Sequence, residues 1–423
     1  MLDQKLIRSE PERVKAGVAA KREKVDVDAY LALDEERRGI IAEVDKLKAE
    51  RNRVSKEIAE EKKQGAHPED KIKAMREVSA RIKEQDDRLR ELEAKAQELL
   101  MWIPNMPHSS VPPGKNEDDN EVVRTWGEKP ALDFTPVPHW DIAESLDLID
   151  FGRASTIAGS NFALFKGKGA RLVRALISFM LDMHTRKHGY TEIWPPSLAN
   201  RDSMTGTGQL PKLEEDMYHC PVDDYFLVPT AEVPLTNIHR GDILDGERLP
   251  LRYTAYSPCF RREAGSYGKE TRGLNRVHQF DKVELVKFVT PESSYDELEA
   301  LLGDAEEVLQ ALGLHYRVLL LCTGELSFAA AKCYDLEVWS PGQDKWLEVS
   351  SCSNFEDFQA RRAGIRYRPA AGEKARFVHT LNGSGVALPR IIVAILETYQ
   401  TGDGRLKVPE VLVPFMDGAE VIE

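Results

Sequence analysis

At 423 residues, with 42% hydrophobic and 30% charged residues, the chain has room for two to three domains and the composition of a soluble globular protein. A formal net charge of -13 argues against indiscriminate binding to nucleic acid, which depends on neutralising phosphates with Lys and Arg. No apolar run approaches the ~20 residues of a membrane span, and the N-terminus MLDQKLIRSEPERVK is too charged for a secretory leader, so a cytoplasmic location is expected.

The charge is unevenly placed. Residues 1–100 hold 24 Lys and Arg against 24 Asp and Glu, which leaves 34 against 47 for the remainder. A polyanion would favour the N-terminal part. There the stretches from about Asp28 to Gln64 and from about Glu69 to Met101 are charged, lack Pro and almost lack Gly, and read as helices. Ile40, Val44, Leu47, Arg51, Val54 and Ile58 space as a heptad seam in the first. In the second the seam is Ile72, Met75, Ser79, Ile82, Asp86, Leu89, Glu93, Ala96 and Leu100, with two acidic interruptions. Gly65-Ala66-His67-Pro68 turns the chain between them, so the helices should pack antiparallel as an arm of about 50 Å. A coiled-coil spacer, a dimerisation hairpin and a nucleic-acid arm all fit this pattern, and Lys46, Arg53, Lys56, Lys73, Arg76 and Arg81 are candidate phosphate contacts.

Trp102 to Asn116 contains four prolines and a glycine, and reads as a linker between a domain over 1–101 and another over 117–423. A strand over Glu121–Thr125 follows, then a helix from about Ala170 to His188 with Leu172, Leu176, Phe179 and Met183 on one face, then the strand-like Thr191-Glu192-Ile193-Trp194 before Pro195 and Pro196. Gly167-Lys168-Gly169 and Gly206-Thr207-Gly208 lack Walker A spacing and read as turns. A strand over Tyr225–Val228 leads into Pro229-Thr230-Ala231-Glu232, a helix start with Thr230 as cap or a hydroxyl and carboxylate presented at a turn.

The most informative stretch is Cys259 to Glu284, CFRREAGSYGKETRGLNRVHQFDKVE, two strand-like runs around a polar loop carrying Lys269 and Arg272. Alternation puts Arg261 and Glu263 on one face of the first run, and Phe280 and Glu284 on one face of the second. A guanidinium forks onto phosphate oxygens, a ring stacks on a base, and a carboxylate accepts from an amine or hydroxyl. Further on, Trp346–Val349 reads as a strand and Ser350–Asn354 as the opening of a helix that ends at Arg361-Arg362. Leu381-Asn382-Gly383-Ser384-Gly385 then precedes an apolar helix that starts near Pro389 and Arg390 and runs through Tyr399. The five cysteines, Cys220, Cys259, Cys322, Cys333 and Cys352, lack the close pairing of zinc ligands; reduced thiols and no zinc are expected.

Phe260-Arg261-x-Glu263, a loop, and His278-Gln279-Phe280-x-Lys282-x-Glu284 together resemble motif 2 of the class II aminoacyl-tRNA synthetases, in the form found in the seryl-tRNA synthetase family. Thr191–Pro196 is similar to motif 1 and the stretch through Arg390 to motif 3, with Pro389 where class II enzymes often have Gly. The resemblance covers essentially the whole chain. It implies an α+β fold, with an N-terminal antiparallel coiled-coil hairpin followed by a catalytic domain built on an antiparallel sheet flanked by helices. It further implies a cytoplasmic homodimer that activates L-serine with ATP and magnesium and transfers the seryl group to tRNA(Ser), with tRNA(Sec) an open second substrate.

By the same resemblance Arg261, Glu263 and Arg390 are catalytic. Thr230, Ala231, Glu232, Arg261, Glu284, Thr380 and Ser384 bind serine; Arg261, Arg262, Glu263, Val277, Phe280, Glu348, Val349, Ser350, Ser351 and Arg390 bind ATP; and Glu348 and Ser351 meet magnesium. Two rival readings stand beside it. A class II relative that loads a carrier protein would have no use for the long N-terminal hairpin, and a non-catalytic scaffold would not need Arg261, Glu263, Glu284 and Arg390 together.

Overall fold

The structure is a computed structural model that describes residues 1–264 and 272–423, so Lys269 lies outside the described residues. The chain divides into two compact units, Leu2–Pro104 and Asn105–Glu423. In the smaller, helices Val27–Lys63 and Glu69–Trp102 pack along each other, and the turn between them uses Gly65 at φ +86°. Asp26 caps the first helix by accepting from the Ala29 N–H at 2.9 Å. Ile40, Val44 and Val54 of the first helix and Ile82, Leu92, Ala96 and Leu100 of the second are buried. The seam therefore differs from the expected one at two places. It runs through Leu92 in place of Glu93, and Ser79 is exposed while Val78 is half-buried. Glu93 keeps 49% of its side-chain exposure, and its apolar neighbour Leu92 packs with Ile40 and Val44 instead. Asp86, the other acidic interruption, pairs with Lys48 at 3.3 Å.

In the larger unit, Asn105 is buried and its side chain donates to the carbonyls of Ala329 and Phe355 at 2.9 and 2.8 Å. The backbone N–H of His108 donates to the carbonyl of Ala331 at 2.9 Å. Of the stretch read as a linker over 102–116, the part from Asn105 onward thus belongs to this unit.

Eight strands form its main sheet: β1 Glu121–Trp126, β2 Thr191–Glu192, β3 Leu251–Phe260, β4 Gln279–Val289, β5 Tyr316–Leu320, β6 Lys332–Ser340, β7 Lys345–Asn354 and β8 His379–Ala387. Their spatial order is β1-β5-β6-β7-β8-β4-β3-β2, antiparallel throughout except for the β2–β3 pair. Strand β4 shows how the sheet is divided. Val283, Leu285 and Val289 join the large core made with helices Lys168–Arg186, Ser294–Ala311 and Leu388–Thr398, and Val286 and Phe288 join a second cluster with Ala231, Leu235 and Ala360. Period-two alternation leaves Phe280, Lys282 and Glu284 on the face opposite the large core. Among the described residues no helix is long and apolar enough to cross a membrane.

Two local expectations are corrected. Strand β3 ends at Phe260, and Glu263 sits at φ +51°, so alternation does not extend to Arg261 and Glu263; the N–H of Arg262 is taken by the carbonyl of Asp216 at 2.9 Å. Ser350–Asn354 continue β7 and do not open a helix, because Cys352, Ser353 and Asn354 pair with Gly383, Asn382 and Leu381 of β8; the helix starts at Phe358. The glycine-rich pieces mark helix ends, Gly167 preceding Lys168–Arg186 and Gly208 closing Arg201–Thr207 in the left-handed region.

Candidate active site

A cleft of about 640 Å³ opens over β4, β7 and β8. Its floor is a chain of buried polar groups. Lys282 Nζ donates to Thr230 Oγ1 at 2.8 Å, Thr230 Oγ1 donates to Glu284 Oε2 at 2.8 Å, and Lys282 also pairs with Glu284. Asn382 Nδ2 donates to Glu232 Oε2 at 2.9 Å and reaches Glu284 Oε1 at 3.4 Å. Gln359 Nε2 donates to Glu232 Oε1 at 2.6 Å, and Gln359 Oε1 accepts from Thr380 Oγ1 at 2.7 Å. Apart from the Lys282–Glu284 pair, each bond joins residues at least 21 positions apart, and together they orient two carboxylates under one opening.

Local structure explains these placements. Helix Glu232–Asn237 has Ala231, not the expected Thr230, at its N-cap position, because the turn carries one residue more; Thr230 stands one position earlier, where its Oγ1 accepts from the Glu232 N–H at 3.2 Å and the carboxylate is presented in the first turn. Ser384 faces Glu284 across the β8–β4 pair, and Ser350 Oγ donates to the Ser384 carbonyl at 2.5 Å. Burial, and then the charge of Glu284, push the Glu232 carboxyl up to about 7, against the Gln359 hydrogen bond, Lys282 and Arg261, which lower it. A carboxyl poised there is a feature of functional sites.

Cations line the other end. The Arg261 guanidinium lies 5.1 Å from the centroid of Phe280, and Arg276 Nη1 pairs with Glu263 at 2.9 Å. Arg390, in the first turn of helix Leu388–Thr398, donates to the Glu348 carbonyl at 2.7 Å and pairs with its carboxylate at 3.4 Å. Ser351 Oγ is 3.1 Å from Cys333 Sγ. Behind them, burial and then the charge of Glu348 hold the Asp335 carboxyl well above its ordinary range.

The cleft brings together Thr230, Glu232, Arg261, Glu263, Val277, Phe280, Glu348, Val349, Ser350, Ser351, Ser384 and Arg390. Four expected residues stand outside its lining. Glu284 and Thr380 are wholly enclosed, and reach it through Thr230 and Lys282 or through Gln359 and Glu232. Ala231 is buried in the cluster around Phe288, and Arg262 lines a separate depression with Glu214, Glu215 and His219. Sequence reasoning missed Lys282, Asn275, Arg276, Gln359 and Asn382. Lys282 was within reach, since the alternation that joins Phe280 to Glu284 passes through it. Asn275 Oδ1 and Asn382 Oδ1 are buried acceptors without a protein partner among the described residues, which marks them as candidate ligand contacts.

Residues 218–399 match the tRNA synthetase class II core domain (G, H, P, S and T), and residues 1–107 match the seryl-tRNA synthetase N-terminal domain. A serine–tRNA ligase of Geobacter sulfurreducens is 56% identical over 422 residues, covering 100% of both chains. The crystal structure of seryl-tRNA synthetase from Pyrococcus horikoshii complexed with ATP superposes with a TM-score of 0.94 at 40% identity, covering 100% of this chain and 99% of that one. That of the cytoplasmic serine–tRNA ligase from Naegleria fowleri in complex with AMP gives 0.89 at 31% identity, with the same coverage. Full-length identity, both domain matches and a cleft lined by the motif residues agree, and the chain belongs to the seryl-tRNA synthetase family, the class II ligases that join serine to tRNA.

Proposed function

We propose that this cleft binds ATP and serine side by side, forms seryl-adenylate, and passes the seryl group to the terminal ribose of tRNA(Ser). The observation that carries this reading is the pairing of a buried two-carboxylate floor with guanidinium groups at the other end of one cleft. Glu232 takes the ammonium of serine. Thr230 and Lys282, aligned by Glu284, read the substrate hydroxyl, with Ser384 on the facing strand. Alanine would leave these polar groups unpaired, which is the strong form of discrimination.

The serine carboxylate attacks the α-phosphorus, the bond to the bridging oxygen breaks, and pyrophosphate leaves. Charge gathers on phosphoryl oxygens, so alignment and fixed cations do the catalysis and no protein nucleophile is needed. Arg261 serves the α-phosphate, Arg390 the far end of the triphosphate, and Phe280 with Glu263 the base. Glu348 and Ser351 offer hard oxygen donors that fit magnesium. The described residues contain no group of three or more His, Cys, Asp or Glu able to hold a metal, so phosphate and water oxygens would complete its shell. Magnesium, when bound, neutralises charge on the phosphates.

The reading includes a cytoplasmic homodimer built around helix Lys168–Arg186 and the 191–196 segment, where Trp194 is 78% exposed; light scattering tests the dimer. Serine-dependent exchange of pyrophosphate into ATP tests the chemistry. Arg261→Ala should lower it roughly a hundredfold or more, as loss of one transition-state donor commonly does. Full exchange in a folded Arg261→Ala protein would remove Arg261 from the mechanism.

A further inference from the structure

Leu274, Asn275, Arg276 and Val277, on the returning side of the motif 2 loop, all line the cleft, yet strand pairing begins only at Gln279. A buried imidazole holds them instead. The N–H of Leu274 donates to His139 Nε2 at 3.0 Å, and His139 Nδ1 lies 3.1 Å from Glu397 Oε1; both side chains are fully enclosed. A donor facing Nε2 makes that nitrogen an acceptor, so the ring hydrogen sits on Nδ1 and points at the carboxylate. Glu397 also accepts from the backbone N–H groups of His139 and Gly342 at 3.0 and 2.9 Å, from Gln343 Nε2 at 3.1 Å, and from the Ser340 hydroxyl. Burial acts to raise the Glu397 pKa, but the hydrogen bonds from His139 and Ser340 outweigh it and hold the carboxyl below its ordinary range. Gln343 Oε1 in turn accepts from Asn275 Nδ2 at 2.9 Å. The backbone passes hard against the ring: at Gly273, with φ +68°, a Cβ would stand 2.2 Å from His139 Nε2.

We infer that His139 is a positioning residue for the nucleotide end of the cleft, tying Leu274 to Glu397 on the helix that carries Arg390. One enclosed carboxylate thereby fixes, through one ring, the segment bearing Arg276 and Val277 relative to the start of helix Leu388–Thr398. Those are the two walls between which the triphosphate lies, so the inference rests on the reading above for the identity of the ligand. His139 itself touches no reacting atom.

Two substitutions separate the two ring nitrogens in the full-length protein. In His139→Gln the amide oxygen reaches the place of Nε2 and still accepts from Leu274. In His139→Asn the amide replaces Nδ1, keeps Glu397, and leaves the buried Leu274 N–H unsatisfied. Expected in pyrophosphate exchange is an ATP KM raised about tenfold in the Asn variant, with the serine KM within about twofold, and near recovery of the ATP KM in the Gln variant. Equal ATP KM values in both variants, or equal rises for serine and ATP, would overturn the inference. Should the Asn variant not fold, the 15N spectrum of histidine-labelled wild type decides. His139 with its proton on Nδ1 supports the latch, and a proton on Nε2 overturns it. The outcome stays separable from the reading of the site, which fails only if wild-type exchange is independent of serine.

Discussion

Lys282 and Glu284 in the floor of the cleft keep 7% and 0% of their side-chain exposure, whereas Arg88 and Glu36, which bridge the two long helices, keep 58% and 41%. Each is a cation beside a carboxylate, yet the surroundings give them opposite weights. In the floor, desolvation is costly unless every lone pair and proton is matched, and Thr230 and Asn382 complete the matching. Between the helices, water and salt screen the pair, and two long side chains lose rotamer freedom in meeting. The floor therefore fixes geometry, while the helix pair is held by its narrow apolar seam.

Lys282→Met should separate the regions most sharply. It leaves Glu284 enclosed without its cation, and removal of one partner from a buried pair costs about 3–5 kcal/mol. Urea unfolding of the variant checks this, and combining it with Glu284→Gln should restore part of the loss. A Lys282→Met protein as stable as wild type would mean that the floor pair has no more weight than the exposed ones.

Glu232 comes next, and its effect depends on pH. The folded carboxyl, pushed up to about 7 from an ordinary 4.5, keeps a proton that the unfolded chain has already released. Stability attached to this group is therefore complete below about pH 4.5 and is lost as pH rises to about 7, by roughly 3 kcal/mol at 1.36 kcal/mol per unit. Glu232→Gln should flatten that part of the stability profile. In catalysis the sign reverses, because serine's ammonium needs the ionised form. The kcat/KM for serine should rise through about pH 7 in wild type and lose that limb in the variant.

The contrast also explains what could be read from the sequence. The helix pair was legible because its contacts repeat locally, and the exceptions, Leu92 for Glu93 and Val78 for Ser79, put an apolar neighbour where the heptad named a polar residue. In the sheet, alternation placed Phe280 and Glu284 correctly, because β4 is regular from Gln279 to Val289. It failed at Glu263, where the backbone turns to φ +51°. The floor itself was not legible: Gln359 and Glu232 are 127 positions apart and Asn382 and Glu232 are 150 apart, and no periodicity links them. Motif resemblance named the carboxylates but not Gln359 or Asn382, which hold them in place.

Shortening the helix pair should affect one half of the reaction only. Lys48 Nζ and Asp86 Oδ1 are 3.3 Å apart, so residues 49–85 can be replaced by a short Gly-Ser turn from Lys48 to Asp86 with the seam below left intact. This removes Arg53, Lys56, Lys73, Arg76 and Arg81, all exposed, and no residue of the cleft. Pyrophosphate exchange should stay within about twofold. The KM for tRNA(Ser) should rise about tenfold or more, and its dependence on salt should become shallower as phosphate contacts are lost. Unchanged charging of tRNA would make the distal arm a spacer.

The smallest expected effect is at the other end of the opening comparison. Arg88→Ala removes the bridge to Glu36 and leaves Ile40, Val44, Leu89 and Leu92 packed between the helices. The partner left behind is itself exposed, so no buried charge is stranded and water replaces the guanidinium. The midpoint of thermal unfolding should stay within measurement error at physiological salt, with a small decrease emerging only as ionic strength is lowered and screening weakens. A drop approaching that of Lys282→Met would show that the bridge, and not the seam, holds the helices together.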